Sequence, residues 1–215
     1  MDDVTKASEV GGDTDLINLV KVRRSVRAFR EEAVSTAVVE EILADAVWAP
    51  SPHNSQPWRF TVMTSSGGKN TLATAMARSL ADELRSFGTN EDEIHRQTTR
   101  SVARISSAPV VIVLSLVRDG LQSFPDERRN ELEWLMAVQS VGAVLQNLFL
   151  LALTRGIATC WMAAPMYCPE VVARVLDLPS DYSPQALVLM GYQAAPGKVR
   201  GRRPFDTVVD VRAET

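Results

Sequence analysis

The stretch Lys21-Val22-Arg23-Arg24-Ser25-Val26-Arg27-Ala28-Phe29, read with Ala49-Pro50-Ser51-Pro52-His53-Asn54-Ser55-Gln56-Pro57-Trp58-Arg59-Phe60, decides how this 215-residue chain is read. Three arginines and a serine fall within five residues where the upstream pattern ends a helix, so their donors can converge on one anion. Guanidinium groups meet phosphate oxygens in a planar fork and are less strongly hydrated than ammonium groups, so the cluster points to a bound phosphate. A solvated basic helix end that complements the helix dipole would use the same residues, and Arg23 and Arg24 alone do not separate the two readings. The second stretch bears on that choice. Its serine-flanked prolines stiffen a loop that offers Ser51, Asn54 and backbone groups to a polar ring edge.

Working outward, residues 15–23 place Leu16, Leu19, Val20 and Arg23 at helical spacing, with Asp13, Thr14 or Asp15 as the cap. A second helix is expected from about Ser35 through Val38, Ile42, Ala46 and Val47, stopped by Pro50 and Pro52. Residues 58–64 alternate as a strand that Ser65-Ser66-Gly67-Gly68 should end. Helices over 70–86 and 90–107 carry no motif, and 110–116 is a compact apolar run that fits a buried strand. A polar loop is expected over 118–130. The longest helical pattern covers 127–154, and its apolar part approaches the length of a membrane span. Gln139, Ser140, Gln146 and Asn147 interrupt it and Arg128, Arg129, Glu131 and Glu133 precede it, which makes it a helix of a core or subunit interface. Gly156 closes this helix, then come a strand over 157–163, a helix over 169–176 and a strand over 186–192. The tail from about 193 is basic and rich in Pro and Gly, and turns strand-like at 207–211.

With 46% apolar and 23% charged residues the composition is that of a globular protein, read as one domain over 15–215 after a disordered tail over 1–14. That tail lacks the pattern of a targeting signal. A net charge of -3 gives no general attraction to nucleic acid or anionic lipid, and no groove-reading motif accompanies the arginines. Cys160 and Cys168 are too few for a disulfide framework, lack metal-site spacing and are read as buried structural thiols, so the expected compartment is the cytoplasm and no metal is expected.

Taken in order, Arg23-Arg24-Ser25-Val26-Arg27-x-Phe29, then Ala49-Pro50-Ser51-Pro52-x-Asn54-Ser55-Gln56-Pro57-Trp58, the segment 156–163 and Arg202-Arg203-Pro204-Phe205 resemble the flavin-binding signature of the nitroreductase superfamily over residues 16–209. The resemblance implies an α+β fold, with a mostly antiparallel sheet flanked by helices. It also implies a homodimer with two FMN sites at its interface, and a C-terminal extension that wraps the partner subunit and adds a strand to its sheet. In that arrangement Arg23 and Arg203 hold the phosphate with Arg24 and Arg202 close by, and Ser25 seats the ribityl and pyrimidine region. Arg27 is the electrostatic tuner of the reduced ring. Pro50, Ser51, Pro52 and Asn54 come from the partner to meet ring and ribityl, braced by Gln56. Trp161, Met162 and Ala163 lie beside the ring near N5, where hydride from NAD(P)H would enter and leave by a ping-pong mechanism with no obligatory side-chain acid or base. Many bacterial nitroreductases have an acidic residue and a glycine where this chain has Ala163 and Ala164, and Met162 or Ala163 is expected to address N5. His53 is read as a packed or solvent-facing loop residue ahead of a substrate contact, and His95 has no role.

Within the superfamily, residues 123–129, 137–143 and 156–161 resemble the C-terminal FMN domain of the bifunctional coenzyme F-420 gamma-glutamyl ligase. That resemblance implies reduction of a dehydro precursor of a deazaflavin coenzyme, without ligation, since no ligase half lies in these residues. His53-Asn54-Ser55-Gln56-Pro57-Trp58 instead follows the general nitroreductase pattern. A generic NAD(P)H-dependent nitro or quinone reductase, and a flavin-binding or flavin-consuming protein without reductase turnover, therefore stand beside it.

Overall fold

Seven consecutive apolar or small side chains set the middle of the molecule. In the computed structural model, which describes residues 16–212, Val110–Leu116 forms strand β2 and each of its residues is buried. A strand buried on both faces needs a layer on each side. Around it the chain runs through α1 (Leu16–Val22), α2 (Thr36–Ala46), β1 (Trp58–Met63), α3 (Ser66–Ser86), α4 (Glu91–Ser106), then after β2 through α5 (Glu127–Thr154), β3 (Ala158–Met162), α6 (Pro169–Leu176) and β4 (Ser183–Gly191). The sheet order is β1-β2-β4-β3 with every neighbouring pair antiparallel, the expected α+β architecture.

Alternation along β2 divides the core. Val110, Ile112, Leu114 and Leu116 pack with Val39, Ile42 and Ala46 of α2 and with Val141, Val144, Leu145 and Leu148 of α5. Val111 and Val113, with Leu187 and Leu189 of β4, pack with Leu72, Ala73 and Met76 of α3, Ile105 of α4 and Val172 of α6. Burying each large aliphatic side chain contributes on the order of 1.5–3 kcal/mol, so both layers anchor the sheet.

At 28 residues α5 is about 42 Å long. The Asp126 carboxylate accepts from the Arg129 N–H at 3.0 Å to start it. At its end Gly156 takes φ +68, and the N–H groups of Ile157 and Gly156 return to the carbonyls of Ala152 at 2.9 Å and Leu153 at 3.0 Å. This paired closure satisfies two terminal carbonyls and favours a residue without Cβ. Among the described residues α5 is the one helix long and apolar enough to span a membrane, yet its inner face belongs to the core. Its outer face leaves Leu132, Leu135 and Met136 exposed.

Several expectations are corrected. Ser65 to Gly68 do not simply end β1: Ser65 caps α3, its Oγ accepting from the Gly68 N–H at 3.2 Å, and both glycines lie in the first turn. Two glycines cost about 1 kcal/mol each in a helix interior, but this cap and the buried face of Leu72, Ala73 and Met76 outweigh them. The polar loop expected to reach Asn130 stops at the Asp126 cap. β4 starts at Ser183, ahead of the expected Ala186, because Pro184 lies opposite Ser115, where a register shift after Leu114 accommodates a residue with no N–H to donate. Residues 207–211 form no strand: Phe205–Thr207 is a single 3-10 turn and the following residues pair with no strand of their own chain. A strand needs an edge to pair with, and the tail meets none within the protomer. The expected tail over 1–14 and the cap at Asp13, Thr14 or Asp15 lie outside the described residues.

Lys69 joins α3 to the start of β2. It is 6% exposed, and its Nζ donates to the carbonyls of Ala108 at 2.7 Å and Pro109 at 2.9 Å. Lys69→Met should lower the unfolding free energy by about 1–3 kcal/mol, because both carbonyls lose their donor. An unchanged urea midpoint would show that these bonds contribute nothing net.

Candidate functional site

Helix α1 ends at Val22, and the chain then straightens along the β3 edge of the sheet. The Arg23 N–H closes a last helical bond to the Leu19 carbonyl at 3.0 Å. Ser25 next forms a parallel bridge to Thr159, and the Val26 N–H donates to the Thr159 carbonyl at 3.0 Å. Val26 is buried, so its extended neighbours Ser25 and Arg27 face outward. Phe29 bridges Gln193, and the Ala194 N–H donates to the Ala28 carbonyl at 3.0 Å. These bonds turn the C-terminal tail back across the arginines. At Gly197 a Cβ would lie 2.5 Å from the Cβ of Arg24, so the crossing requires a glycine.

The result is a knot of like charges. Burial first, then the charges of Arg202 and Arg24, push the Arg23 guanidinium below its ordinary pKa. Arg24 Nη1 donates to the carbonyls of Lys21 and Arg23 at 2.5 and 2.8 Å, while its Nε is buried without a partner. Among the described residues none of Arg23, Arg24, Arg27, Arg202 or Arg203 has a carboxylate within ion-pair distance, whereas Arg85 has two, Asp82 and Glu91, and Arg155 has Glu41. Cations held together with an orphaned N–H donor are costly unless an anion meets them, and a phosphate matches that donor set. Sequence placed Arg203 on the phosphate with Arg202 beside it; here the charge felt at Arg23 is that of Arg202.

Aromatic contacts extend this edge. The Arg23 guanidinium sits 6.0 Å from the ring centre of Phe149 on α5, and Phe149 lies 6.4 Å from Trp161 of β3 at a tilt of 49°. Trp161 and Ala163 are exposed and Met162 is half-buried, so the three expected ring neighbours line the same edge as Ser25 and Arg27. Cys160 is buried beneath them; burial pushes its thiol up against the opposing charges of Arg27 and Arg104, and burial does the same to Cys168. Neither environment produces a reactive thiolate, in keeping with structural thiols.

Pro50, Ser51, Pro52, Asn54 and Gln56 lie elsewhere. Their loop is backbone-strained: His53, Asn54 and Gln56 have φ of 52, 53 and 46, values that side chains with a Cβ rarely adopt. The Gln56 N–H donates to Ser51 Oγ at 3.0 Å and its side-chain amide to Asn54 Oδ1 at 3.3 Å. Outside contacts hold it as well. Gly120, at φ +80, passes so near that a Cβ there would be 3.0 Å from the Ser55 carbonyl, and His53 Nε2 is 3.2 Å from Glu133 Oε1 on α5.

Glu133 was read as one of the charges preceding the buried helix, and the structure corrects this: it is 4% exposed. A signal was present, since Glu133 precedes Ala137, Val141 and Val144 at core-facing helical spacing. Phe149 and Gly197 were also missed, Phe149 being one apolar residue in a long apolar run and Gly197 one glycine in a polar tail.

The two halves of the expected site do not meet in one chain. The loop touches α5 at Glu133 and the arginines touch it at Phe149, sixteen residues or about 24 Å along the helix.

A family profile described as Nitroreductase family matches residues 20–192. The NADH dehydrogenase of Thermus thermophilus is 28% identical over 211 residues, covering 87% of this chain and 91% of that one. Among solved structures, a nitroreductase-like family protein from Bacillus cereus superposes with a TM-score of 0.72 at 25% identity, covering 93% and 97% of the two chains. NfnB of Sphigopyxis sp. strain HMH, described as an FMN and NADPH-dependent nitroreductase, superposes with a TM-score of 0.73 at 24% identity, covering 93% and 100%.

Proposed function

Because this chain belongs to the nitroreductase family, we propose that it is an FMN-dependent oxidoreductase working as a homodimer, each FMN lying between the arginine edge of one subunit and the 50–56 loop of the other. The observation that carries this reading is the unneutralised knot of Arg23, Arg24 and Arg202, with the orphaned Arg24 Nε inside it. The separation of the two half-sites supports the shared arrangement: a two-fold axis across the outer face of α5 would set the Glu133 end of one helix beside the Phe149 end of the other. That face carries exposed Leu132, Leu135 and Met136, with open space around Gly142.

Bound there, FMN supplies hydride transfer at N5 between a reduced nicotinamide and the acceptor. The protein's part is binding, orientation and electrostatics. Arg23, Arg24, Arg202 and Arg203 neutralise the phosphate, Ser25 meets the ribityl chain, and Trp161, Met162 and Ala163 form the wall beside the ring. Arg27, outward-facing and without a carboxylate partner among the described residues, stabilises the negative charge that the ring's pyrimidine edge gains on reduction. Arg27→Ala should lower the two-electron midpoint potential by about 30–60 mV, the equivalent of one charge-assisted contact. Redox titration with a reference dye reads this directly, and an unchanged potential would remove the tuning role.

The acceptor is a small conjugated molecule, and the stretches 123–129, 137–143 and 156–161 favour a dehydro precursor of the deazaflavin coenzyme F-420. The general nitroreductase form of residues 53–58 favours a second reading, a generic NAD(P)H-dependent nitro or quinone reductase. Buried free thiols suit action in the cytoplasm. The test is the purified protein's visible spectrum. It should be yellow, bleach anaerobically with NADH or NADPH, and recover its colour with the deazaflavin precursor, or with a nitroaromatic if the second reading holds. A colourless protein that FMN does not reconstitute would refute both, and a yellow one that no donor bleaches would be a flavin binder without turnover.

A further inference from the structure

We propose that His53, oriented by Glu133, is the proton donor to the acceptor; this rests on the FMN reading above and gives a task to a residue which that reading leaves idle. Three observations converge. Glu133 is 4% exposed, with Oε1 3.2 Å from His53 Nε2 and Oε2 buried without a partner. A buried carboxylate with a free oxygen is costly unless a donor accompanies it, so Glu133 favours an N–H at His53 Nε2 and fixes the ring's orientation. His53 itself is half exposed, with Nε2 turned to the carboxylate and Nδ1 left for another partner. Carboxylate, imidazole and a free ring nitrogen form the arrangement by which a carboxylate fixes an imidazole for proton transfer.

The backbone agrees with the side chains. His53 has φ +52 within a loop whose Asn54 and Gln56 are also left-handed, and such strain persists only where surrounding contacts enforce it, most often at functional sites. Pro52 and Asn54, on either side of it, are the residues assigned to the flavin ring, so the imidazole borders the space where an acceptor would stack. Of the charged groups nearby, Arg118 stacks over Trp134 at 4.7 Å and lines one cavity with Glu133, and Asp119 lies 3.6 Å from Arg59.

The step balances. A quinone- or nitro-type acceptor that gains hydride, whose two electrons derive from the reduced nicotinamide, is left with negative charge on oxygen. The His53 Nδ1–H bond breaks, an O–H bond forms at that oxygen, and the imidazole keeps the electron pair as its neutral form with Nε2–H still on Glu133. Water restores the proton before the next turnover.

The test compares a quinone, which must take a proton, with ferricyanide, which takes electrons alone. For His53→Gln the ratio of quinone to ferricyanide turnover should fall by about 100-fold or more, the usual span of general acid catalysis. A structural role would lower both rates together and leave the ratio unchanged, which overturns the proposal. A second readout needs no turnover. The chain has two histidines, so His95→Gln leaves a single imidazole, whose Nε2–H should give a protected downfield proton resonance. Adding Glu133→Ala to that variant should abolish the resonance, and Glu133→Ala alone should lower the turnover ratio about tenfold. Persistence of the resonance, or an unchanged ratio, contradicts the positioning role of Glu133. A wild-type protein that binds no FMN is a separate failure, that of the underlying reading, whatever the imidazole signal shows.

Discussion

Arg23→Ala raises the dissociation constant for FMN by about 10- to 150-fold, the effect of removing one charge-assisted contact of roughly 1.5–3 kcal/mol. Arg23 is chosen because it is the most constrained of the cations. Phe149 holds its guanidinium at 6.0 Å, and burial together with the charges of Arg202 and Arg24 pushes its pKa down. Such a group is strained in the apoprotein and relieved by an anion. The substitution therefore has opposite consequences in the two states: the apoprotein melts no lower than wild type, because a like charge has been removed, while the holoprotein loses the stabilisation that tight FMN binding confers. Flavin fluorescence titration and paired melting curves measure both. Arg155→Ala is the control, since Arg155 is an exposed cation paired with Glu41 at 2.7 Å and distant in function from the site. If Arg23→Ala binds FMN as wild type does, the knot is a solvated helix end and the phosphate assignment is wrong.

The double variant Leu135→Glu, Met136→Glu is expected to be a folded monomer that has lost FMN. Both residues are exposed on the outer face of α5, so a single chain tolerates the change without disturbing the inner face that carries Ala137, Val141 and Val144. In a dimer joined through this face, four carboxylates would be buried without partners. Breaking a buried pair in comparable settings costs about 3–5 kcal/mol, and two-fold symmetry counts every change twice. Sedimentation gives the mass and circular dichroism the fold. A stable dimer that still binds FMN would move the interface elsewhere, and a monomer that binds FMN at full affinity would show that one chain suffices.

Elements whose start is marked by a proline were the most legible in the sequence. Residues 110–116 behind Pro109 and residues 169–176 opening on Pro169 both start and stop where their residue types require. Legibility failed where a local preference met a longer-range condition. Gly67 and Gly68 look like a strand end, but Ser65 caps them into α3; Pro184 looks like a break, but the irregularity at Ser115 receives it. Residues 207–211 have strand-like composition and no edge within the protomer to pair with. For the site, the arginines and the proline-rich loop were both visible as motifs, because phosphate and ring contacts demand particular side chains. What sequence did not carry was their distance. That separation follows from the length of α5 and from where α1 and the 50–56 loop contact it. Glu133 escaped for a related reason: a glutamate among charged neighbours reads as solvated, and only its helical phase places it inward.

Complementation between two defective chains tests the shared site most directly. Arg23→Ala damages the arginine edge, and Ser51→Ala with Asn54→Ala damages the loop, so each homodimer should bind FMN poorly. Co-expressed with different tags and purified as the heterodimer, the pair should regain one intact site per dimer: the unaltered arginines of one chain with the unaltered loop of the other. The account predicts half-stoichiometric FMN at wild-type affinity. A heterodimer that binds no better than its parents would mean that both half-sites belong to a single chain, contradicting the arrangement on which the proposed function depends.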